Sequence, residues 1–98
     1  MLIDNWLFSK GISHAYEVSV FLRDNPDEEM YCDFFLPAYG AYIEYWGKEG
    51  DVAYDRRKQA KIDLYDKNGL KRIDLDDGHI KRLNDVLPKE LARIRKAG

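Results

Sequence analysis

Two short runs decide the fold: Tyr31-Cys32-Asp33-Phe34-Phe35-Leu36 and Ala41-Tyr42-Ile43-Glu44-Tyr45-Trp46, joined by Pro37-Ala38-Tyr39-Gly40. Both runs are dense in residues that favour a pleated, half-buried surface, and the joining segment carries the Pro and Gly of a tight turn. They predict a β-hairpin. The turn also sets its register. Whether Ala38-Tyr39 or the whole of Pro37 to Gly40 forms the loop, Leu36 falls opposite Ala41, Phe34 opposite Ile43 and Asp33 opposite Glu44. Because side chains alternate along a strand, Tyr31/Trp46, Asp33/Glu44 and Phe35/Tyr42 share one face, and Cys32/Tyr45, Phe34/Ile43 and Leu36/Ala41 the other.

Working outward, Leu2, Ile3, Trp6 and Leu7 recur at helical spacing and Gly11 stops the pattern, so a short amphipathic helix opens the chain. Ala15 to Arg23 (AYEVSVFLR) reads as a first strand, broken by the polar cluster Asp24 to Glu29 with Pro26 at its heart. Beyond the Gly47-Lys48-Glu49-Gly50 loop, Asp51 is a good N-cap for a long helix to about Asn68, which Gly69 terminates. Leu70 to Leu75 (LKRIDL) is a further strand. From Asp76 onward, Ile80, Leu83, Val86, Leu87, Leu91 and Ile94 suit one broken helix or two short ones. The expected order is αβββαβα, an α/β or α+β domain whose helices flank a mixed central sheet.

Ninety-eight residues make room for one domain, residues 1–98, standing alone or as part of a longer protein. Hydrophobic residues are 45% of the chain, enough to cover both faces of a small sheet and too many for disorder. A net charge of −2 provides no overall basic field, so contact with a polyanion must come from local patches such as Arg56-Arg57-Lys58, Lys71-Arg72, Lys81-Arg82 and Arg93-Arg95-Lys96. A single cysteine, Cys32, excludes an internal disulfide and fits a reducing, cytoplasmic setting. No apolar run approaches the roughly 20 residues that span a bilayer, so no membrane segment is expected.

The opposed pair Asp33 and Glu44 carries the chemistry. Directly opposed residues bring their Cβ atoms to about 4.5–5.5 Å, where like charges repel unless something compensates. A divalent cation is the natural compensation, and an oxygen-only set suits Mg²⁺ or Mn²⁺, which keep waters that a substrate phosphate can replace. Glu17, in the preceding strand, is the candidate third carboxylate. The long helix offers a cation: Tyr54, Lys58, Lys61 and Tyr65 form one stripe beside an apolar stripe of Ala53, Ala60 and Leu64. Lys61 then sits at the boundary, its stem on the core and its ammonium free to reach over the sheet. His14 and His79 have no partner at metal-ligand spacing. Cys32, alternating away from the Asp33 face, reads as a small buried hydrophobe.

Cys32-Asp33-Phe34-Phe35-Leu36-Pro37 followed by Tyr42-Ile43-Glu44-Tyr45-Trp46-Gly47 resembles the core of the restriction-endonuclease-like, PD-(D/E)XK nuclease superfamily. The likeness is strongest to its small members, of the very-short-patch-repair-endonuclease-like or helicase-associated type. Tyr16-Glu17, Asp33-Phe34, Ile43-Glu44, Trp46-Gly47 and Lys61 ahead of Asn68-Gly69 match the pattern. Cys32 replaces the motif's proline, and Trp46 takes the lysine position of its Glu-x-Lys element. The resemblance implies a DNA phosphodiester hydrolase. Mg²⁺ or Mn²⁺ would be held by Asp33, Glu44 and the Tyr45 carbonyl, with Glu17 accessory. Lys61, or Lys58 after it, would be the lysine migrated to the helix. It also implies DNA as partner, with a homodimer or attachment to a larger helicase or DNA-processing protein supplying further contacts. The competing expectation is a catalytically inactive, nuclease-derived module that binds DNA or protein.

Overall fold

A computed structural model describes residues 2–47 and 50–97, so Lys48 and Glu49 of the expected loop, and the two end residues, lie outside the described residues. The elements are α1 (Leu2–Ser9), β1 (Ala15–Tyr16), β2 (Phe34–Leu36), β3 (Ala41–Tyr45), α2 (Val52–Lys67), β4 (Lys71–Leu75), α3 (Asp77–Ile80) and α4 (Leu83–Ala97). The chain is an α+β domain in which helices flank a mixed sheet of order β1-β2-β3-β4, with β3 and β4 parallel and the other pairs antiparallel. Among the described residues no helix is long and apolar enough to cross a membrane.

The hairpin keeps the expected register over three pairs, Phe34 with Ile43, Phe35 with Tyr42 and Leu36 with Ala41, whereas the expected cross-strand pairs Asp33/Glu44, Cys32/Tyr45 and Tyr31/Trp46 lie outside the ladder, because the strand ends at Phe34. Its two faces then go to different layers. Phe34, Leu36, Ala41 and Ile43, joined by Ile73 and Leu75 of β4, pack under Ile3 and Leu7 of α1 and under Leu83, Leu87, Leu91 and Ile94 of α4. Those α4 residues recur every three or four positions, so one helical stripe fills the layer. Burial of such side chains contributes about 1.5–3 kcal/mol each. On the opposite face Val20, Leu22, Met30, Cys32 and Tyr65 form a smaller cluster with Phe35 and Tyr42.

Three expectations are corrected. The first strand does not run from Ala15 to Arg23. It is interrupted at Glu17, the one non-glycine described residue at positive φ (51°), and resumes only as an isolated Ser19–Tyr31 bridge. Backbone bonds from Glu17 N–H to the Asp33 carbonyl and from Cys32 N–H to the Val18 carbonyl keep the pairing in step across this kink. Secondly, β2 begins only at Phe34, because the chain bends at Asp33. That bend breaks the alternation, so Cys32 packs with Tyr65 and Tyr42, not on the opposite layer. Thirdly, Ala53 and Ala60 of α2 are exposed, and Tyr54, Lys58, Lys61 and Tyr65 form the side turned inward.

Asp51 caps α2, its carboxylate accepting a hydrogen bond from the Tyr54 N–H at 3.1 Å. Gly69, at φ +65°, follows the Asn68 C-cap in the left-handed conformation that a side chain resists. Asp51→Ala is expected to cost about 1 kcal/mol, read as a lower midpoint in chemical denaturation with an unchanged slope.

His14 ties the loop after α1 to that helix. Its Nδ1 faces the Ile12 carbonyl at 2.8 Å and its Nε2 faces Asp4 at 2.5 Å. The Ile12 carbonyl first, then Asp4, raise its pKa above the ordinary 6.5. A histidine with a raised folded-state pKa stabilises fully below its unfolded pKa and loses that contribution as pH rises through the folded value. Melting temperature should therefore fall as pH climbs upward from about 6.5. His14→Gln should flatten that dependence in a thermal-melt series.

Candidate metal and catalytic site

Strand β3 is central, so its N–H groups need partners on both sides. Trp46 N–H donates to the Leu75 carbonyl on the β4 side at 2.7 Å. On the β2 side the ladder runs out where the chain bends, and the Asp33 carboxylate replaces it, accepting from Tyr45 N–H at 2.7 Å. This explains an acidic residue at a strand end: Asp33 closes a backbone bond that no carbonyl reaches. The Asp33 charge is also felt at Glu44, whose carboxyl it helps to push up.

Glu44 is the only charged residue among the buried described residues, 1% exposed. An uncompensated carboxylate there is costly, so its partners matter. The Lys61 ammonium lies 2.9 Å from each of its oxygens. The Tyr65 hydroxyl donates to Oε2 at 2.5 Å. Burial pushes the Glu44 carboxyl up, the bonds from Tyr65 and Lys61 pull it down, and the nearby Asp33 charge pushes it up again; the net direction is upward. Tyr65, fully buried and bonded to a carboxylate, is held far above the ordinary phenol range.

Around this centre β4 lays down a second polar row. Parallel register puts Asp74 beside Glu44. Its carboxylate accepts from the Trp46 indole N–H at 2.8 Å and from Arg72 Nε at 2.7 Å. Arg72 in turn covers the Tyr65 ring at 5.5 Å. Asp74 thereby locks the indole so that its face meets α2, with the Lys58 and Lys61 ammonium groups 5.2 and 5.8 Å from the ring centre. Beyond Trp46 a cleft of about 510 Å³ opens between the ends of β3 and β4, lined also by Gly47, Asp76, Asp77 and Gly78.

The structure therefore gathers Asp33, Glu44, Lys61, Trp46 and the Tyr45 backbone, with Lys58 at their edge. Glu17 is exposed and meets Asp33 through the backbone. No three His, Cys, Asp or Glu among the described residues are grouped to hold a metal ion. A Mg²⁺ site asks for less, since one or two carboxylates with waters and substrate phosphate suffice, and the donor set of Asp33, Glu44 and a strand-end carbonyl fits that requirement. Burial pushes the Cys32 thiol up, as expected of an inert core cysteine.

Two residues of the site carry little signal in the sequence. Tyr65 stands on the predicted stripe with no evident role, and its position four residues after Lys61 is the available signal, because such residues share a helix face. Asp74 had no signal: its approach to Trp46 depends on the parallel β3–β4 register. Of the basic patches, Arg72 pairs with Asp66 and Asp74, Arg93 pairs with Glu90, and Arg95 stacks over Tyr39, while Lys58 and Lys61 face Trp46 from α2 and Lys61 reaches Glu44.

No protein-family model matches the chain, and no curated protein or solved structure proves similar to it.

Proposed function

We propose that this chain is a metal-dependent DNA nuclease with a restriction-endonuclease-like core of the PD-(D/E)XK type. The observation that supports it is the buried Glu44 beside Asp33, with a helix lysine reaching across from α2 to 2.9 Å. Stable packing alone gains little from such an arrangement, because replacing a buried ion pair with apolar residues is often neutral or stabilising. Charged groups retained there point to chemistry. The αβββαβ element order and the mixed sheet agree with the superfamily core.

In this reading Asp33, Glu44 and the Tyr45 carbonyl would hold Mg²⁺ or Mn²⁺, which would supply a Lewis acid to polarise the phosphodiester and activate a water. Asp33 is kept in place by the Tyr45 N–H and Glu44 by the Tyr65 hydroxyl. Lys61 brings a positive charge against the attacking water or the scissile phosphate, where negative charge grows in the transition state. Trp46 supplies no proton; its indole face steadies the lysines. Glu17 is accessory, able to hold a water at the rim.

The test is cleavage of plasmid and single-stranded DNA with Mg²⁺ or Mn²⁺ by wild type, Asp33→Ala and Glu44→Ala. Activity in wild type that both variants lose supports the assignment; equal rates in all three overturn it. The Lys61–Glu44 pair itself favours a second reading, since a carboxylate already neutralised has less need of a metal: a nuclease-derived module that binds DNA or protein without turnover. DNA binding without cleavage, and without Mn²⁺ uptake at millimolar concentration, selects that reading.

A further inference from the structure

Resting on the nuclease reading, one feature of the site points to how it is loaded. Lys61 lies 2.9 Å from both Glu44 oxygens, so a cation that binds both oxygens from that side must displace its ammonium. Oε2 also accepts the Tyr65 hydroxyl. Glu44 therefore has two partners of different kinds. Tyr65 is fully buried and fixed in a packed cluster, whereas Lys61 is a quarter exposed on a flexible four-carbon stem. One partner can leave without disturbing the core. When it does, the Trp46 face, pinned by Asp74, lies 5.8 Å from the same ammonium, next to the Lys58 ammonium at 5.2 Å. A cation over an indole face keeps an electrostatic attraction without a carboxylate.

We propose that Lys61 is the resident counter-ion of Glu44 and yields it to a divalent cation, with the Trp46 indole face retaining the released ammonium beside the site. Lys61 then has two stations. On Glu44 it neutralises a buried charge and keeps the metal-free protein folded. Over Trp46 it is free to meet a phosphate oxygen. The arrangement gives the tryptophan, which stands where the superfamily pattern has a lysine, a task suited to an aromatic ring. It also couples charge delivery to metal loading, because the ammonium is spent on Glu44 until a second cation replaces it.

The displaced ion pair opposes metal binding, so removing the ammonium should tighten it. Titration calorimetry with Mn²⁺ is expected to give Lys61→Met an affinity about 10–100-fold higher than wild type, while Lys61→Arg, which keeps the pair, stays near wild type. Equal or weaker binding by Lys61→Met overturns the proposal. Because that variant leaves a buried charge uncompensated and risks unfolding, a second measurement uses wild type alone. Lys61 acetylation by acetic anhydride, followed by peptide mass spectrometry, should quicken on adding Mn²⁺ relative to Lys89 and Lys96 on α4. An unchanged relative rate, with Mn²⁺ bound, is contrary to displacement. Absence of Mn²⁺ binding in both wild type and Lys61→Met refutes instead the metal reading on which the proposal rests.

Discussion

Asp33→Asn is expected to lower the rate of Mg²⁺-supported DNA cleavage by about 10²–10³-fold while changing stability little. The two effects separate because Asp33 has two tasks. Its structural task is to accept the Tyr45 N–H at 2.7 Å, and an asparagine carbonyl oxygen accepts that bond equally well. In the proposed nuclease its second task is to bring a negative charge to the metal site, which asparagine cannot do. A bound metal contributes several kcal/mol to stabilising the transition state, and each 1.4 kcal/mol is about tenfold in rate. Losing one anionic donor of two should forfeit a large part of that. Single-turnover cleavage with unfolding curves on the same preparations checks both halves. A variant that cleaves normally shows Asp33 to be a strand cap only.

The second large effect is on stability. Tyr65→Ala is expected to cost about 3–5 kcal/mol, and Tyr65→Phe about 1–3 kcal/mol, in chemical denaturation. Among the described residues Tyr65 is the largest fully buried side chain, clustered with Val20, Leu22, Met30 and Cys32 and, through its ring, with Tyr42 at 5.6 Å. Truncation to alanine opens a cavity in the smaller of the two apolar layers, which has few other large side chains to collapse into it. The phenylalanine variant isolates the hydroxyl. It keeps the ring and removes the bond to Glu44 Oε2, leaving a buried carboxylate with Lys61 alone. Much of a domain's net stability of roughly 5–15 kcal/mol is at stake in the alanine change. A Tyr65→Phe protein as stable as wild type is incompatible with a Glu44 that depends on that bond.

How far the sequence reads true depends on whether a residue's neighbours are local. The hairpin was legible because Pro37 to Gly40 fixes a register and alternation assigns the faces, and Phe34 to Leu36 against Ala41 to Ile43 obey it. The helix caps were legible for the same reason: Asp51 and Gly69 act within a turn of themselves. Where the chain bends, the rule fails. Asp33 leaves the ladder to serve Tyr45, and the residue before it, Cys32, lands on the other face. Glu17 at φ 51° ends a run whose composition alone reads as an unbroken strand.

The site was legible in part. The helix stripe singles out Lys61, and the fold brings it onto Glu44, whereas the expected Asp33/Glu44 cross-strand pair is absent from the ladder and Asp33 accepts the Tyr45 N–H. The helix face was misjudged in detail because apolar periodicity looks for alanine and leucine, whereas α2 covers a polar centre and turns tyrosines and lysine stems inward. Ala53 and Ala60 are exposed as a result. Asp74 could not be found at all, since its partnership with Trp46 spans 28 residues and exists only through the parallel β3–β4 pairing.

The central claim is that Asp33 and Glu44 share a divalent cation. A crystal structure of the protein soaked in Mn²⁺, with data collected at the manganese absorption edge, tests it most directly. One anomalous peak in contact with both carboxylates, with Lys61 withdrawn from Glu44 toward Trp46, is the expected result. A map with no manganese at the pair, and Lys61 still bonded to Glu44 at saturating Mn²⁺, contradicts it.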